Sequence, residues 1–336
     1  MTLSEPIGTT VRPARREDAE AVVAIIQANS LALIGEIDYS LEDLLEEWDD
    51  PDIDLERDTQ VVFAPDGRLI AYAVVWSKGR PALPIIELYL HAAEWAQDGV
   101  TEPYLLGWAE VRARENLPEL APELRLGLRM YSDSRDERFA AVLAAAGFEP
   151  QRYSLQMIKA LDEAPVAPVW PEGFSWRTAE PDDDPVPAFE AFRDAWRDHF
   201  GHVRRPYDEA LKAWRHHWEL SFAPGLWLLA LDGDTVAGLC LCMPKFGPDE
   251  ACGFVEILAV RRDYRRRGLA EALLRQSFVE LYAAGKTSVR LFVDGQSLTG
   301  ATRLYERTGM HEHSRYIMYE KELRPGIDVS TRAVGG

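Results

Sequence analysis

The sequence contains few cysteines, and their pattern excludes a disulfide framework. Of the 336 residues only Cys240, Cys242 and Cys252 are cysteine. Cys240 and Cys242 lie two positions apart in an apolar, strand-like run, which puts both side chains on one face of a strand. No second cysteine pair and no suitably spaced histidine accompany them, so we predict buried, reduced thiols and no metal site. A redox pair or a metal site is the less favoured alternative.

Long apolar runs and positive charge are also scarce. No apolar run reaches the roughly 18 residues that a membrane helix needs, and the opening MTLSEPIGTTVRPARRED has no apolar core of a signal peptide. We therefore expect a soluble, cytoplasmic protein without a membrane partner. The 37 Lys and Arg residues face 56 Asp and Glu, a formal net charge of −19, and the pI is ≈ 4.8. This balance argues against nucleic acid as a partner, because nucleic-acid-binding proteins usually carry a basic face.

Prolines are concentrated near the middle of the chain, in LDEAPVAPVWPEGF. Spaced prolines disfavour helix, so this segment is typical of an extended linker. It divides the chain into two halves of roughly one domain each. We predict a first domain at 1–161, a linker at 162–173, a second domain at 174–324 and a tail at 325–336.

The two halves share an order of predicted elements. Each begins with a short strand and a helix, and continues with two apolar runs joined by Asp66-Gly67 or by Asp232-Gly233, a strong hairpin signal. A strand, a helix, a strand, a helix that ends at a glycine and a last strand follow. An internal duplication of an α/β unit is the economical interpretation. Two unrelated α/β domains are the alternative.

One segment of the second half gathers positive charge at the start of a helix. In VRRDYRRRGLAEALL five arginines lie between positions 261 and 267, directly before Gly268. A helix N-terminus has unpaired amides and partial positive charge, glycine allows close approach of a ligand, and arginine adds charge-assisted hydrogen bonds. The segment suits a pyrophosphate. A solvated arginine cluster that offsets acidic neighbours is the alternative interpretation.

Two motifs carry a resemblance to a known family. RRRGLA, at 265–270, matches the Arg/Gln-x-x-Gly-x-Gly/Ala motif of the GCN5-related N-acetyltransferases, and FVDGQSLTGATRLYERTGM is similar to that family's C-terminal motif. The motifs resemble the family over 174–323, and the layout alone resembles it over 10–161. The whole chain resembles the tandem type similar to mycothiol synthase. The resemblance implies an α/β (α+β) fold of two tandem domains, each with a mixed, mostly antiparallel sheet flanked by helices.

The resemblance also implies acetyl-CoA as cosubstrate and assigns its binding mainly to backbone amides. An amide near Leu258 or Ala259 would polarise the thioester carbonyl, and that of Val260 would line the pantetheine. Ser297 stands where many relatives carry asparagine and is a further candidate. The pyrophosphate would lie on the motif, which consists of Arg265, Arg266, Arg267, Gly268, Leu269 and Ala270.

Two side chains are the predicted catalytic residues. Tyr305 matches the family's tyrosine that faces the sulfur, and a phenol with a pKa of ~10 can donate a proton to a thiolate at neutral pH. Ordinary aromatic packing is the alternative. Glu256 is the only acid in GFVEILAV and is the candidate base that accepts a proton from the amine. The alternatives are a water chain as the base, and a Glu256 that faces solvent or an arginine.

Two further regions lead to predictions about the acceptor side. The segment WRDHFGHVRR contains Asp198, His199 and His202, for which we expect a substrate contact or a helix end. The first half lacks the arginines: Glu94 and Asp98 would repel phosphate, and Leu143 stands where the second half has Tyr305. We expect the first half to be inactive and to wall off the acceptor cleft.

These inferences together predict an enzyme that transfers an acetyl group from acetyl-CoA to a primary amine of a small molecule, by direct attack in the C-terminal domain. One alternative is a catalytically silent acyl-CoA-binding sensor or interaction module. Another is an N-acetyltransferase that acts on a protein or peptide. The motifs encode neither the acceptor nor the oligomeric state.

Overall fold

A computed structural model describes residues 6–77, 85–90, 99–296 and 300–331, with the backbone alone for 85–90. The chain forms two compact units. Unit 1 contains Met1–Tyr153 and Tyr316–Val329, and unit 2 contains Ser154–Arg315 and Ser330–Gly336. Each unit combines segments that are far apart in the sequence, whereas each predicted domain is one continuous stretch. The predicted domain limits therefore stay a prediction.

Unit 1 is a sheet with helices packed on it. Its strands pair in the order β1, β2, β3, β4, β5 and then residues 316–324 of β12. The strands are β1 Thr10–Arg12, β2 Thr59–Phe63, β3 Leu69–Trp76, β4 Ile85–Leu90, β5 Leu126–Asp133 and β12 His311–Arg324. The helices are α1 Ala19–Ile34, α2 Leu41–Asp49, α3 Leu55–Asp58, α4 Thr101–Arg114 and α5 Glu137–Ala145.

Periodic burial explains the core of unit 1. Helix α1 buries Val22, Ile25 and Ile26, which lie three and four positions apart and so share one face. They belong to one apolar cluster with Val61 of β2 and Tyr72 of β3. The predicted hairpin is confirmed, because β2 and β3 are antiparallel neighbours on either side of the Asp66-Gly67 turn.

Unit 2 has the same kind of architecture. Its strands pair in the order of residues 154–160 of β6, then β11, β10, β9, β8 and β7. The strands are β6 Glu149–Ala160, β7 Ser175–Thr178, β8 Trp227–Asp232, β9 Thr235–Met243, β10 Cys252–Val260 and β11 Ser288–Asp294. The helices are α6 Pro185–Trp196, α7 Tyr207–Ser221, α8 Leu269–Ala283 and α9 Ala301–Arg307.

The strand directions confirm the predicted fold class. In unit 2, β10 and β11 are parallel, and β6–β11, β10–β9, β9–β8 and β8–β7 are antiparallel. The Asp232-Gly233 turn joins β8 to β9 as predicted. In unit 1, β4–β5 is parallel and its other described pairs are antiparallel. Each sheet is therefore mixed and mostly antiparallel, with flanking helices.

The three cysteines are free and buried, as predicted. The Sγ atoms of Cys240 and Cys242 lie 3.8 Å apart in the interior of β9. The pKa of the Cys242 thiol is raised, most by this hydrogen bond and next by burial. Among the helices that the structure describes, none has the length and apolar character required to cross a membrane.

Candidate active site

The candidate site begins where two parallel strands of unit 2 separate. Strand β10 pairs with β11 only over Cys252–Phe254, although β11 continues to Asp294 along β6. Within the described part of these strands, no pairing between β10 and β11 follows Phe254. The backbone groups of β10 on that side are therefore available to a ligand, since buried backbone polar groups need partners.

A β-bulge lies at the same place. The register of β10 against β9 shifts between Val255 and Ile257, so Glu256 is the extra residue. A bulge bends its strand and re-aims a side chain, and it is common beside active sites. The side chain of Glu256 is 31% exposed. The predicted base thus lies two residues beyond the point where β10 and β11 separate.

The register also shows which amides face the opening. Arg261 donates its amide to the carbonyl of Ala237 in β9, at 3.0 Å. Amide directions alternate along a strand, so the amide of Ala259 also points to β9, and those of Leu258 and Val260 point away from it. The carbonyl of Val260 accepts a hydrogen bond from Nε of Arg265 at 3.3 Å, which agrees with this direction.

Asp198 holds the first part of the arginine segment. Its carboxylate is buried and pairs with the guanidinium groups of Arg262 and Arg265, with Oδ2 at 2.9 Å from Nε of Arg262 and 2.5 Å from Nη1 of Arg265. Arg265 also donates to the carbonyl of Ala195 at 3.0 Å. Two cations share one anion here, so the loop keeps an excess of positive charge while its path is fixed against the end of α6.

The other three arginines of the loop differ in the contacts that their guanidinium groups make. The guanidinium of Arg267 lies 4.5 Å from the ring centroid of Phe174, a cation–π contact, and Nη1 of Arg261 lies 3.5 Å from the carbonyl of Val236. Arg266 is exposed and has a left-handed backbone, with φ of 60°. Within the described residues, no ion pair or side-chain hydrogen bond involves Arg266. Its side chain is the one best placed to bind an external anion.

Gly268 caps α8 and shapes its N-terminus. Its φ is 85°, a left-handed value that favours glycine. An added Cβ would meet Cγ of Pro171 at 3.4 Å. Leu269, the first residue of α8, is buried, whereas Ala270 is half-buried. The free amides at this helix start therefore follow directly on the arginine loop, which is the arrangement that binds a phosphate group.

Tyr305 lies at the level of Leu258 on the sheet. The pKa of Tyr305 is raised, mainly by burial of the phenol and to a smaller extent by the neighbouring thiol of Cys240. Cys240 is directly opposite Leu258 in the β9–β10 register, and such cross-strand side chains share a face. The buried phenol of α9 is therefore near the residue whose amide faces the opening.

Glu256 has a basic neighbour that the sequence did not identify. Oε2 of Glu256 lies 3.5 Å from Nε2 of His217 on α7. On its other side, Nδ1 of His217 lies 3.4 Å from Oγ of Ser221. Helical spacing could have related His217 to Ser221, since they are four residues apart. No local signal connects either residue to a bulge on β10.

The segment after α6 lies at a helix end, one of the two expectations from the sequence. Asp198 binds the arginine loop, as described above. The ring of His199 stacks on Trp196 with centroids 4.6 Å apart, and its Nδ1 lies 3.1 Å from the carbonyl of Phe200. Burial, followed by the charges of His199 and nearby arginines, lowers the pKa of His202. Ser297 lies outside the described residues.

The corresponding helix start of unit 1 has a buried acid. The first turn of α4 contains Glu102, whose side chain is 1% exposed and pairs with Arg138 at 2.6 Å. A buried carboxylate at a helix start occupies the position that an anion would favour. Leu143 on α5 is buried in the core. Glu94 and Asp98 lie outside the described residues.

Comparison with known proteins supports the family resemblance. The model of the Acetyltransferase (GNAT) family matches residues 188–310. The crystal structure of a GCN5-related N-acetyltransferase from Sphaerobacter thermophilus is 32% identical, with a TM-score of 0.83, and the match covers 97% of this chain and 99% of that one. A tandem GNAT protein from the clavulanic acid biosynthesis pathway is 16% identical, with a TM-score of 0.72 and coverage of 95% and 100%, and shares the fold.

Curated relatives are similar over shorter stretches. A mycothiol acetyltransferase from Streptomyces griseus subsp. griseus is 28% identical over 261 residues, 76% of this chain and 78% of the relative. One from Thermobispora bispora is 27% identical over 198 residues, 58% of this chain and 66% of that relative's length. Because the Sphaerobacter thermophilus protein is matched over nearly its whole length at 32% identity, the chain belongs to the GCN5-related N-acetyltransferases, a family that uses acetyl-CoA as cosubstrate.

Proposed function

We propose that unit 2 transfers the acetyl group of acetyl-CoA to a primary amine of a small molecule. The observation that carries this proposal is the order of three groups along the separated part of β10. They are the bulged Glu256, the amide of Leu258 that points away from β9, and the buried phenol of Tyr305 on α9, which interacts with Cys240 opposite Leu258. A donor for the carbonyl, an acid for the sulfur and a base for the amine are what acetyl transfer requires.

The cofactor side of the proposal uses the arginine loop and the separated strand. The amides from Arg266 to Ala270 and the guanidinium of Arg266 would bind the pyrophosphate, as charge and helix direction favour. The amide of Val260 faces the opening and would bind the pantetheine. Arg265 contributes by positioning, because its guanidinium is bound to Asp198 and Ala195.

The register favours Leu258 over Ala259 as the donor to the thioester carbonyl. The amide of Ala259 points to β9, as does that of Arg261. The amide of Leu258 points into the opening. A fixed backbone donor at this position stabilises the negative charge that develops on the carbonyl oxygen during attack.

The proposed chemistry needs three proton transfers. Glu256 accepts a proton from the substrate ammonium, and the neutral amine attacks the thioester carbonyl carbon. The new C–N bond forms, the C–S bond breaks, and Tyr305 gives its phenolic proton to the leaving thiolate. The N–H proton lost by the new amide restores the phenol through solvent. The relatives named mycothiol acetyltransferase support a small-molecule acceptor.

A panel assay tests the proposal. The full chain would be incubated with acetyl-CoA and primary amines such as amino sugars and polyamines, with CoA release and product mass as readouts. We expect one or more acetylated products. We expect Glu256→Gln to lower kcat by about 10²–10⁴-fold, as for loss of a general base. Glu209→Gln, an exposed change on α7, is the matched control and should keep wild-type activity.

Each alternative function has its own signature in this assay. Binding of acetyl-CoA without product on any amine would support a silent sensor and contradict the proposal. Product on peptide amines alone would support the peptide-directed alternative. Full activity of the Glu256→Gln variant would remove Glu256 as the base while acetyl transfer itself stands.

A further inference from the structure

We propose that His217 is the second proton acceptor of the reaction and receives from Glu256 the proton that Glu256 takes from the amine. The inference rests on the proposed function. It makes His217 a positioning and relay residue that acts through Glu256 and does not touch the substrate. Ser221 completes the path to solvent.

The first observation is that two buried polar atoms face each other. Nε2 of His217 and Oε2 of Glu256 are both inaccessible to water, and within the described chain neither makes a hydrogen bond elsewhere. They lie 3.5 Å apart. Catalytic hydrogen bonds are often long in ligand-free proteins and shorten in the substrate complex. Burying polar atoms without hydrogen-bond partners costs folding free energy, so a pair of such atoms that face each other points to a functional role.

The second observation is that each residue also has an exposed part. The side chain of His217 is 30% exposed and that of Glu256 is 31% exposed, and the exposure belongs to neither of the two facing atoms. Glu256 can therefore present its other oxygen to the substrate amine. His217 can release a proton from the opposite edge of its ring.

The third observation is that the imidazole is held in place. Trp227 stacks near the His217 ring with centroids 6.0 Å apart and an interplanar angle of 18°, and Trp214 lies 6.1 Å away. Nδ1 is next to Oγ of Ser221 at 3.4 Å. The nearby thiol of Cys242 stays protonated, because its hydrogen bond with Cys240 and its burial raise its pKa.

The relay takes up one proton and releases one proton in each cycle. The relay requires the resting tautomer in which Nδ1 carries the imidazole proton and donates to Oγ of Ser221, so that Nε2 is free to accept. The substrate ammonium loses a proton to the Glu256 carboxylate. Glu256 passes it to Nε2, and the resulting imidazolium releases the Nδ1 proton to water beside Ser221. Glu256 is again a carboxylate, and one proton has moved from the amine to solvent.

Substitution and chemical rescue test the relay in the full chain. His217→Gln keeps an amide that can hold Glu256 in position but cannot carry a proton, and His217→Ala opens a space for free imidazole. We expect both variants to lower kcat by about tenfold or more, with KM for acetyl-CoA unchanged. Added imidazole should restore kcat of His217→Ala several-fold. His216→Gln, an exposed change on the same helix, is the control.

The outcomes separate this inference from the proposed function. Wild-type kcat in His217→Gln would mean that His217 only holds Glu256, and would overturn the relay. A loss of kcat in His217→Ala that imidazole does not restore would also overturn it. In both cases acetylation by the wild-type chain would leave the proposed function standing. If the wild-type chain acetylated no amine, the proposed function and the relay would fail together.

Discussion

At the scale of single residues, Tyr305 is the proposed acid that protonates the leaving thiolate. Its hydroxyl makes no hydrogen bond within the described part of the chain, so its proton is not committed elsewhere. We expect Tyr305→Phe to lower kcat by about 10²-fold, because an unprotonated thiolate is a poorer leaving group, while the Kd for acetyl-CoA stays the same. Steady-state kinetics with a binding titration measure both quantities. Tyr282→Phe, on the exposed side of α8, should change neither.

The raised pKa of Tyr305 also predicts behaviour at high pH. Burial disfavours the phenolate, so the neutral phenol persists above the ordinary tyrosine pKa of ~10. Activity that depends on the Tyr305 proton should therefore persist as the pH rises to ~10. The measurement is kcat at saturating substrates over this range. A decline in the wild type that the Tyr305→Phe variant lacks would contradict the argument.

Sequence motifs found some of these residues and not others. Gly268 and Tyr305 belong to short motifs with fixed local spacing, so the sequence alone could single them out, and their roles stay predictions. His217 and Asp198 act on residues far away in the sequence, and only the packing of α6 and α7 on the sheet brings them near. The choice between Leu258 and Ala259 depends on strand register, which composition does not determine.

At the scale of elements, the arginine loop depends on its contact with the end of α6. Replacing Asp198 with Asn would leave Arg262 and Arg265 without their shared anion. We expect a loss of about 3 kcal/mol in the free energy of unfolding, as for a broken buried pair, and a rise of about tenfold in the Kd for acetyl-CoA, or ~1.4 kcal/mol. Chemical denaturation and calorimetry measure the two effects.

The matched control for this change is Asp234→Asn in the exposed turn between β8 and β9. It removes the same charge and should alter neither quantity. An Asp198→Asn variant that loses stability but binds acetyl-CoA normally would show that the loop holds its shape without Asp198.

Element prediction succeeded where one local signal decides the structure. Asp-Gly turns identified both hairpins, and apolar runs identified β9 and β10. The bulge at Glu256 could not be predicted, because it exists only relative to the register of β9. The early end of the β10–β11 pairing is likewise a property of two strands and not of either sequence alone.

At the scale of the whole molecule, we expect one acetyl-CoA site per chain. Within the described residues, the arginine loop lies directly before α8 of unit 2, whose first-turn acid Glu271 is half-exposed and pairs with Arg275. In α4 of unit 1 the first-turn Glu102 is buried and pairs with Arg138. Calorimetric titration of the full chain should give a stoichiometry of about one. A stoichiometry of two would mean that unit 1 also binds.

A substitution at Gly268 shows which site the titration measures. Gly268→Val places a branched side chain at a left-handed φ and beside Pro171, so it should abolish binding. Unchanged binding by this variant would put the site elsewhere. The melting temperature, measured in parallel, separates loss of the site from loss of the fold.

Unit 1 includes a strand from near the end of the chain, and this has a consequence for protein synthesis. Strand β5 ends at Asp133, and its partner in unit 1 begins at Tyr316. A ribosome makes the intervening stretch of about 180 residues in roughly 10–40 s, at 5–20 residues per second. During that time the nascent chain carries β5 without this neighbour, and an unpaired strand edge favours aggregation. The yield of soluble protein should therefore depend on translation speed and on chaperones that shield this edge.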